Sequence, residues 1–92
     1  MWRYLAVFIG VACLAGCAAA PVQEMSDARQ AIAAARTAGV TEGTSPELFA
    51  AQAAITRAEK LLEAQEYTRA RLAAKQAKQH AGAALAAAGS SQ

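Results

Sequence analysis

Aromatic side chains make up only 5% of this 92-residue chain, charged ones only 17%, and there is a single histidine. Each scarcity removes a class of function. Two phenylalanines, two tyrosines and one tryptophan cannot form the row of stacking platforms that single-stranded nucleic acid requires. A formal charge of +2 is too small to argue for nucleic acid as a partner. No glycine-rich loop is present to cradle a nucleotide's phosphates. His80 has Lys78 and Gln79 beside it, which are neither good ligands nor triad partners, so a solvated histidine on a helix face is expected. The length allows one modest domain, with too few bulky side chains for the core of an ordinary enzyme. Neither a catalytic residue nor a metal site is expected, and the chain does not read as an enzyme. What it does have is alanine, which supplies most of an apolar share of 55% and is the strongest helix former.

The first twenty residues read as an address. Arg3 and the α-amino group give a basic start, and Tyr4 to Ala20 then run without a charge, as in an export signal. An uncleaved membrane anchor, which needs about 20 apolar residues, is the alternative on length alone. The end of the run favours the signal: Leu14-Ala15-Gly16-Cys17 resembles the lipobox of bacterial lipoproteins at all four positions. The small Ala15 and Gly16 let an extended chain enter a narrow peptidase cleft. The resemblance implies cleavage before Cys17, a diacylglycerol on its sulfur and an acyl chain on its new amine, and no other cofactor. Cys13 is the rival acceptor, but Gly10-Val11-Ala12 before it lacks the leucine three places back. The residue after Cys17 is Ala18 rather than aspartate, which by the same resemblance implies the outer membrane, periplasmic face, ahead of the inner membrane. With Cys13 removed and Cys17 blocked by lipid, no cysteine pair remains for a disulfide, although small exported domains often depend on them.

After a signal at 1–16 and a lipidated tether at 17–21, residues 22–88 read as a helical domain, with a disordered tail at 89–92. The first helix is expected over 22–38, where Val22, Met25, Ala28, Ile32 and Ala35 recur on one face and Gly39 supplies a stop. The second is expected over 46–64. Ser45 caps it, Pro46 suits its first position and Glu47 complements the dipole. Leu48, Ala51, Ile55, Ala58 and Leu62 form its stripe, widened by Phe49 and Leu61. The third is expected over 67–88, with a face of Tyr67, Ala70, Ala74, Ala77, Ala81 and Ala84 flanked by Leu72 and Leu85. No glycine or proline interrupts Glu63-Ala64-Gln65-Glu66, so one continuous helix is an alternative to a hairpin. Charge favours the hairpin: residues 22–66 carry seven acids and four bases, whereas residues 67–92 carry four bases and no acid. The expected fold is all-α, a small alanine-rich bundle of one helix plus an antiparallel hairpin, with one short and one long helix as the alternative.

The mature chain also resembles a family of small bacterial envelope lipoproteins named domain of unknown function 4398. The resemblance is carried by Ala28, Ala31 and Ala35 before Gly39, by Ser45-Pro46-Glu47-Leu48 with Ala51, Ala58 and Leu62, and by Tyr67-Thr68-Arg69-Ala70-Arg71-Leu72-Ala73 with Ala77 and Ala81. It implies a turn like that of tetratricopeptide hairpins before the tyrosine. The family's Gly-Asp-like pair at that point is Gln65-Glu66 here. Some relatives carry a peptidoglycan-binding domain after this region, and the family implies no catalytic residue.

One feature has functional reach. Arg69, Arg71, Lys75 and Lys78 lie close together, with the last three near one helix face. They could meet anionic lipid, peptidoglycan carboxylates or an acidic partner. The plainer alternative is that they pair with the acidic second helix. Glu59, Glu63 and Glu66 read as solvating carboxylates that meet Lys60 or the third helix, rather than as an acid–base pair. Gly89-Ser90-Ser91-Gln92 offers no lysine amine for covalent linkage to the wall. Few large side chains stand against some sixty residues to be ordered, so the helices are expected to pack on a protein partner or a second copy. The leading expectation is a lipid-anchored structural or adaptor protein of the envelope; the alternative is a cell-wall or anionic-surface binding module using the basic third helix.

Overall fold

The structure, a computed structural model, describes residues 20–90. These described residues form three helices: α1 over Val22–Thr37, α2 over Pro46–Glu63 and α3 over Tyr67–Ser90. The hairpin is therefore formed and the continuous helix is not. Helix α3 runs two residues further than expected, so Gly89 and Ser90 are helical rather than part of a tail.

Each helix begins and ends for local reasons. The Ser45 hydroxyl accepts the Leu48 amide at 3.1 Å, Pro46 stands in the first turn, and Glu47 is acidic where the dipole is positive. Helix α1 has Glu24 in its first turn and Arg36 in its last. It stops at Gly39, whose φ of +93° is open to glycine because no Cβ is present. The Gly39 amide donates to the Arg36 carbonyl and the Val40 amide to the Ala35 carbonyl, a Schellman closure of two otherwise orphaned carbonyls. Helix α2 closes in the same way, from Gln65 N to Leu62 O and from Glu66 N to Leu61 O. Here the left-handed residue is Gln65, at φ +61°.

Helix direction follows from pairs that cross between elements. Arg29 meets Glu59 and Arg36 meets Gln52, so α1 and α2 are antiparallel; Glu24 meets Arg71 and Asp27 meets Lys78, so α1 and α3 are parallel. Helix α3 lies close along both of the others, which approach each other far less. Side-chain size explains the difference. The buried hydrophobic residues of α3 are Ala70, Ala73, Ala74, Ala77, Ala81 and Ala84, alanine at every position, and methyl-sized contacts allow helix axes to the near end of the usual 8–10 Å. The large buried side chains Met25, Ile32, Leu48 and Ile55 all belong to α1 and α2, and two helices that both carry such bulk approach each other less closely than either approaches an alanine face.

Three expected members of the buried faces lie outside them. Val22 is 68% exposed, Phe49 65% and Leu72 59%. Phe49 and Leu72 lie near the outer sides of α2 and α3, roughly 150–155° round the helix from the centre of each buried stripe at 100° per residue. Val22 stands in the first turn of α1, beside the buried Pro21 but roughly 100° round the helix from the stripe of Met25, Ala28, Ile32 and Ala35. Leu85 and Tyr67 sit at the margin, 39% and 37% exposed, whereas Leu61 and Leu62 pack partly against the core.

Candidate functional site

The lipobox residues Leu14, Ala15, Gly16 and Cys17 lie outside the described residues. The described chain enters through Ala20 and Pro21. Pro21 is buried, and its carbonyl accepts the Met25 amide at 3.0 Å, so the chain is fixed from the first turn of α1 onward.

Two members of the basic group of α3, Arg71 and Lys78, face α1. Arg71 Nε donates to Glu24 Oε1 at 3.2 Å, and both side chains are about 30% exposed (31% and 28%). This is the most sheltered ion pair among the described residues. Lys78 stands 3.9 Å from Asp27, a loose pair. Arg69 points elsewhere and bonds to Glu66 one turn back, at 3.1 Å and in full view of solvent. Lys75 is exposed and has no acidic partner among the described residues. The charges of α3 are thus met chiefly by α1, not by the acidic second helix. Spacing along α3 shows that Arg71, Lys75 and Lys78 share a side; only the parallel packing of α1 and α3 decides which neighbour that side faces.

The carboxylates of α2 and the turn are spread along the surface. Glu59 reaches Arg29 of α1 at 3.4 Å and Glu66 serves Arg69. Near the other end of the bundle, Arg36 of α1 bonds to Glu42 through Nε and Nη2 and to Gln52 through Nη2 at 3.0 Å. The Arg36 hydrogen bond holds the Glu42 carboxyl below its ordinary pKa. His80 is exposed on α3. Among the described residues there is no group of three or more histidine, cysteine, aspartate or glutamate side chains able to hold a metal ion. Among them, too, no helix is long and apolar enough to cross a membrane.

Two shallow depressions were not anticipated from the sequence. One, beside Phe49, is lined by Glu42, Gln52, Ala53 and Thr56. The other lies where α2 and α3 meet near their shared turn, lined by Arg57, Leu61, Arg69, Leu72, Ala73 and Gln76. By spacing alone the outward phenylalanine and leucine that mark them read as edges of the buried stripes, because alanine-rich neighbours give little contrast there.

No curated protein and no solved structure matches the chain. Residues 23–92, which include all but the first residue of the three helices, match the family described as domain of unknown function (DUF4398), and the chain belongs to that family.

Proposed function

We propose that the protein is a lipid-anchored structural or adaptor element of the bacterial cell envelope that works by helix-on-helix contact. The observation that carries this reading is Leu14-Ala15-Gly16-Cys17 behind a basic start and an uncharged run. A peptide cut before Cys17 and given two or three acyl chains is held firmly, at ~0.8 kcal/mol per buried methylene, whereas a single chain binds only marginally. The bundle supports the rest of the reading. It offers exposed apolar side chains at Phe49 and Leu72 and a polar surface whose charges are largely paired, features suited to contact rather than chemistry. By the resemblance noted at Ala18, the anchor is assigned to the outer membrane, facing the periplasm.

Mass spectrometry of the natural protein is expected to find acyl mass on the peptide that starts at Cys17. Density-gradient fractionation is expected to recover the protein with the outer membrane. A Cys17→Ser variant that is still processed and membrane-bound overturns the proposal. Binding to cell-wall polymer is the second reading. It draws on Lys75, the one member of the basic group without an acidic partner among the described residues. Salt-sensitive sedimentation with purified peptidoglycan, lost in Arg71→Glu/Lys75→Glu, would favour it over the adaptor.

A further inference from the structure

We propose that the end of the bundle carrying the first turns of α1 and α3 rests on the bilayer through Val22, Tyr67 and Leu72, so that the helices stand upright on the membrane. The inference rests on the lipid anchor proposed for Cys17 and adds a contact surface to it.

Tether length sets the geometry. Four residue steps separate Cys17 from Pro21, and fully extended they span at most about 14 Å. The tether cannot lengthen by drawing on α1, because Pro21 is buried and the Val22 and Met25 amides are bonded to Ala20 and Pro21 carbonyls. With the Cys17 sulfur carrying acyl chains in the hydrocarbon, the start of α1 lies at the headgroup layer. Helices α1 and α3 are parallel, as the Glu24–Arg71 and Asp27–Lys78 pairs require. The start of α3 and the turn that precedes it therefore lie at that same end.

The side chains at this end suit an interface. Val22 and Tyr67 are the first residues of their helices, and Leu72 follows about one and a half turns into α3; all three are exposed. Tyrosine, with an apolar ring and a polar tip, is favoured at the headgroup level of membranes. The charges nearby cancel: Lys60, Arg69 and Arg71 stand against Glu24, Glu63 and Glu66. The contact is accordingly apolar and does not depend on anionic headgroups. Upright, the 24 residues of α3 rise about 36 Å at 1.5 Å per residue. The far loop between α1 and α2, with Phe49 just beyond it, is carried away from the bilayer toward other envelope components.

The chain contains its own probe. Trp2 and Tyr4 belong to the segment removed with the signal, so Tyr67 is the only tyrosine left after cleavage and no tryptophan remains. The lipidated protein is placed in vesicles of phosphatidylethanolamine and phosphatidylglycerol that contain a lipid with a nitroxide on its headgroup. Tyr67 emission is expected to fall by more than half, equally at low and high salt. In a Phe49→Tyr/Tyr67→Phe variant, the tyrosine at the far end is expected to keep its emission. A Val22→Ser/Leu72→Ser variant, altered only at exposed positions, is expected to lose most of the quenching.

A Cys17 peptide without acyl mass overturns the anchor and the docking together. Acyl mass with Tyr67 unquenched, or with both tyrosine positions quenched equally, overturns the docking alone. Undiminished quenching in the Val22→Ser/Leu72→Ser variant overturns the apolar contact, as does quenching abolished by salt.

Discussion

Two residues occupy the same position at two helix ends, and the chain has solved that position differently each time. Gly39 and Gln65 both take up the left-handed conformation that closes a Schellman motif. For glycine the conformation is free, whereas an L-residue is penalised there by roughly 1–2 kcal/mol. Part of that penalty is offset, because glycine has more backbone freedom to lose from the unfolded chain. Gln65→Gly is therefore expected to stabilise the protein by about 0.5–1 kcal/mol, read as a rise in the denaturant midpoint at unchanged slope. The reverse change makes the control. A Cβ at Gly39 would meet nothing within 4 Å, so Gly39→Ala is expected to lower stability by about 1 kcal/mol through conformation alone. A midpoint that falls in Gln65→Gly would mean that the glutamine makes a contact outweighing its backbone strain. The same comparison explains why the turn was hard to read. Gly39 announces the end of α1, but nothing in the chemistry of Gln65 announces the end of α2; the reversal shows instead in the change of charge from acidic to basic and in the family resemblance around Tyr67.

At the scale of the element, α3 is the member whose composition matters most, since its buried hydrophobic residues are all alanines that let two neighbours come close. Enlarging one of them must push a neighbour away. Ala77→Leu, at a position with 0% exposure, is expected to destabilise by about 1–3 kcal/mol through overpacking. Ala83→Leu, on the exposed side of the same helix, is expected to stay within about 0.5 kcal/mol. Equal effects at the two positions, measured by denaturant unfolding, would remove the alanine spine as the cause of close packing. The alanine spine was legible from spacing, as were Met25, Ile32, Leu48 and Ile55, because bulky residues at three- and four-residue intervals define a face. Phe49 and Leu72 were not legible. Each adjoins a stripe made largely of alanine, and alanines also stand on the exposed sides of these helices at Ala53 and Ala83, so hydropathy fades only slightly from one side to the other. The basic group was legible as a set, but its partners were not, since one helix's spacing carries no information about which neighbour it faces. Glu24 and Asp27 became its partners through topology, once a parallel α1 had been laid beside α3.

The whole molecule is held together by unusually small contacts. The large hydrophobic side chains that are fully sheltered, Met25, Ile32, Leu48 and Ile55, all come from α1 and α2. Burial contributes about 0.8 kcal/mol per methylene, so an alanine methyl adds little where a leucine would add several times more. Ion pairs do not close the gap. The five among the described residues are all at least partly open to water, and such pairs contribute ~0–1 kcal/mol each. Helix propensity and close packing must therefore supply much of the stability, and propensity alone leaves helices of this length marginal without a neighbour to pack on. The lipid-free mature chain is expected to melt below about 60 °C with an enthalpy under the roughly 0.7 kcal/mol per residue of ordinary domains. Its midpoint should rise with protein concentration or with added vesicles, because whatever binds only the folded state stabilises it by mass action. Calorimetry over a wide concentration range decides the matter. A cooperative transition above about 60 °C at every concentration, unmoved by membranes, would mean that the alanine interfaces suffice by themselves. The need for a surface or a partner to complete the bundle would then fall away.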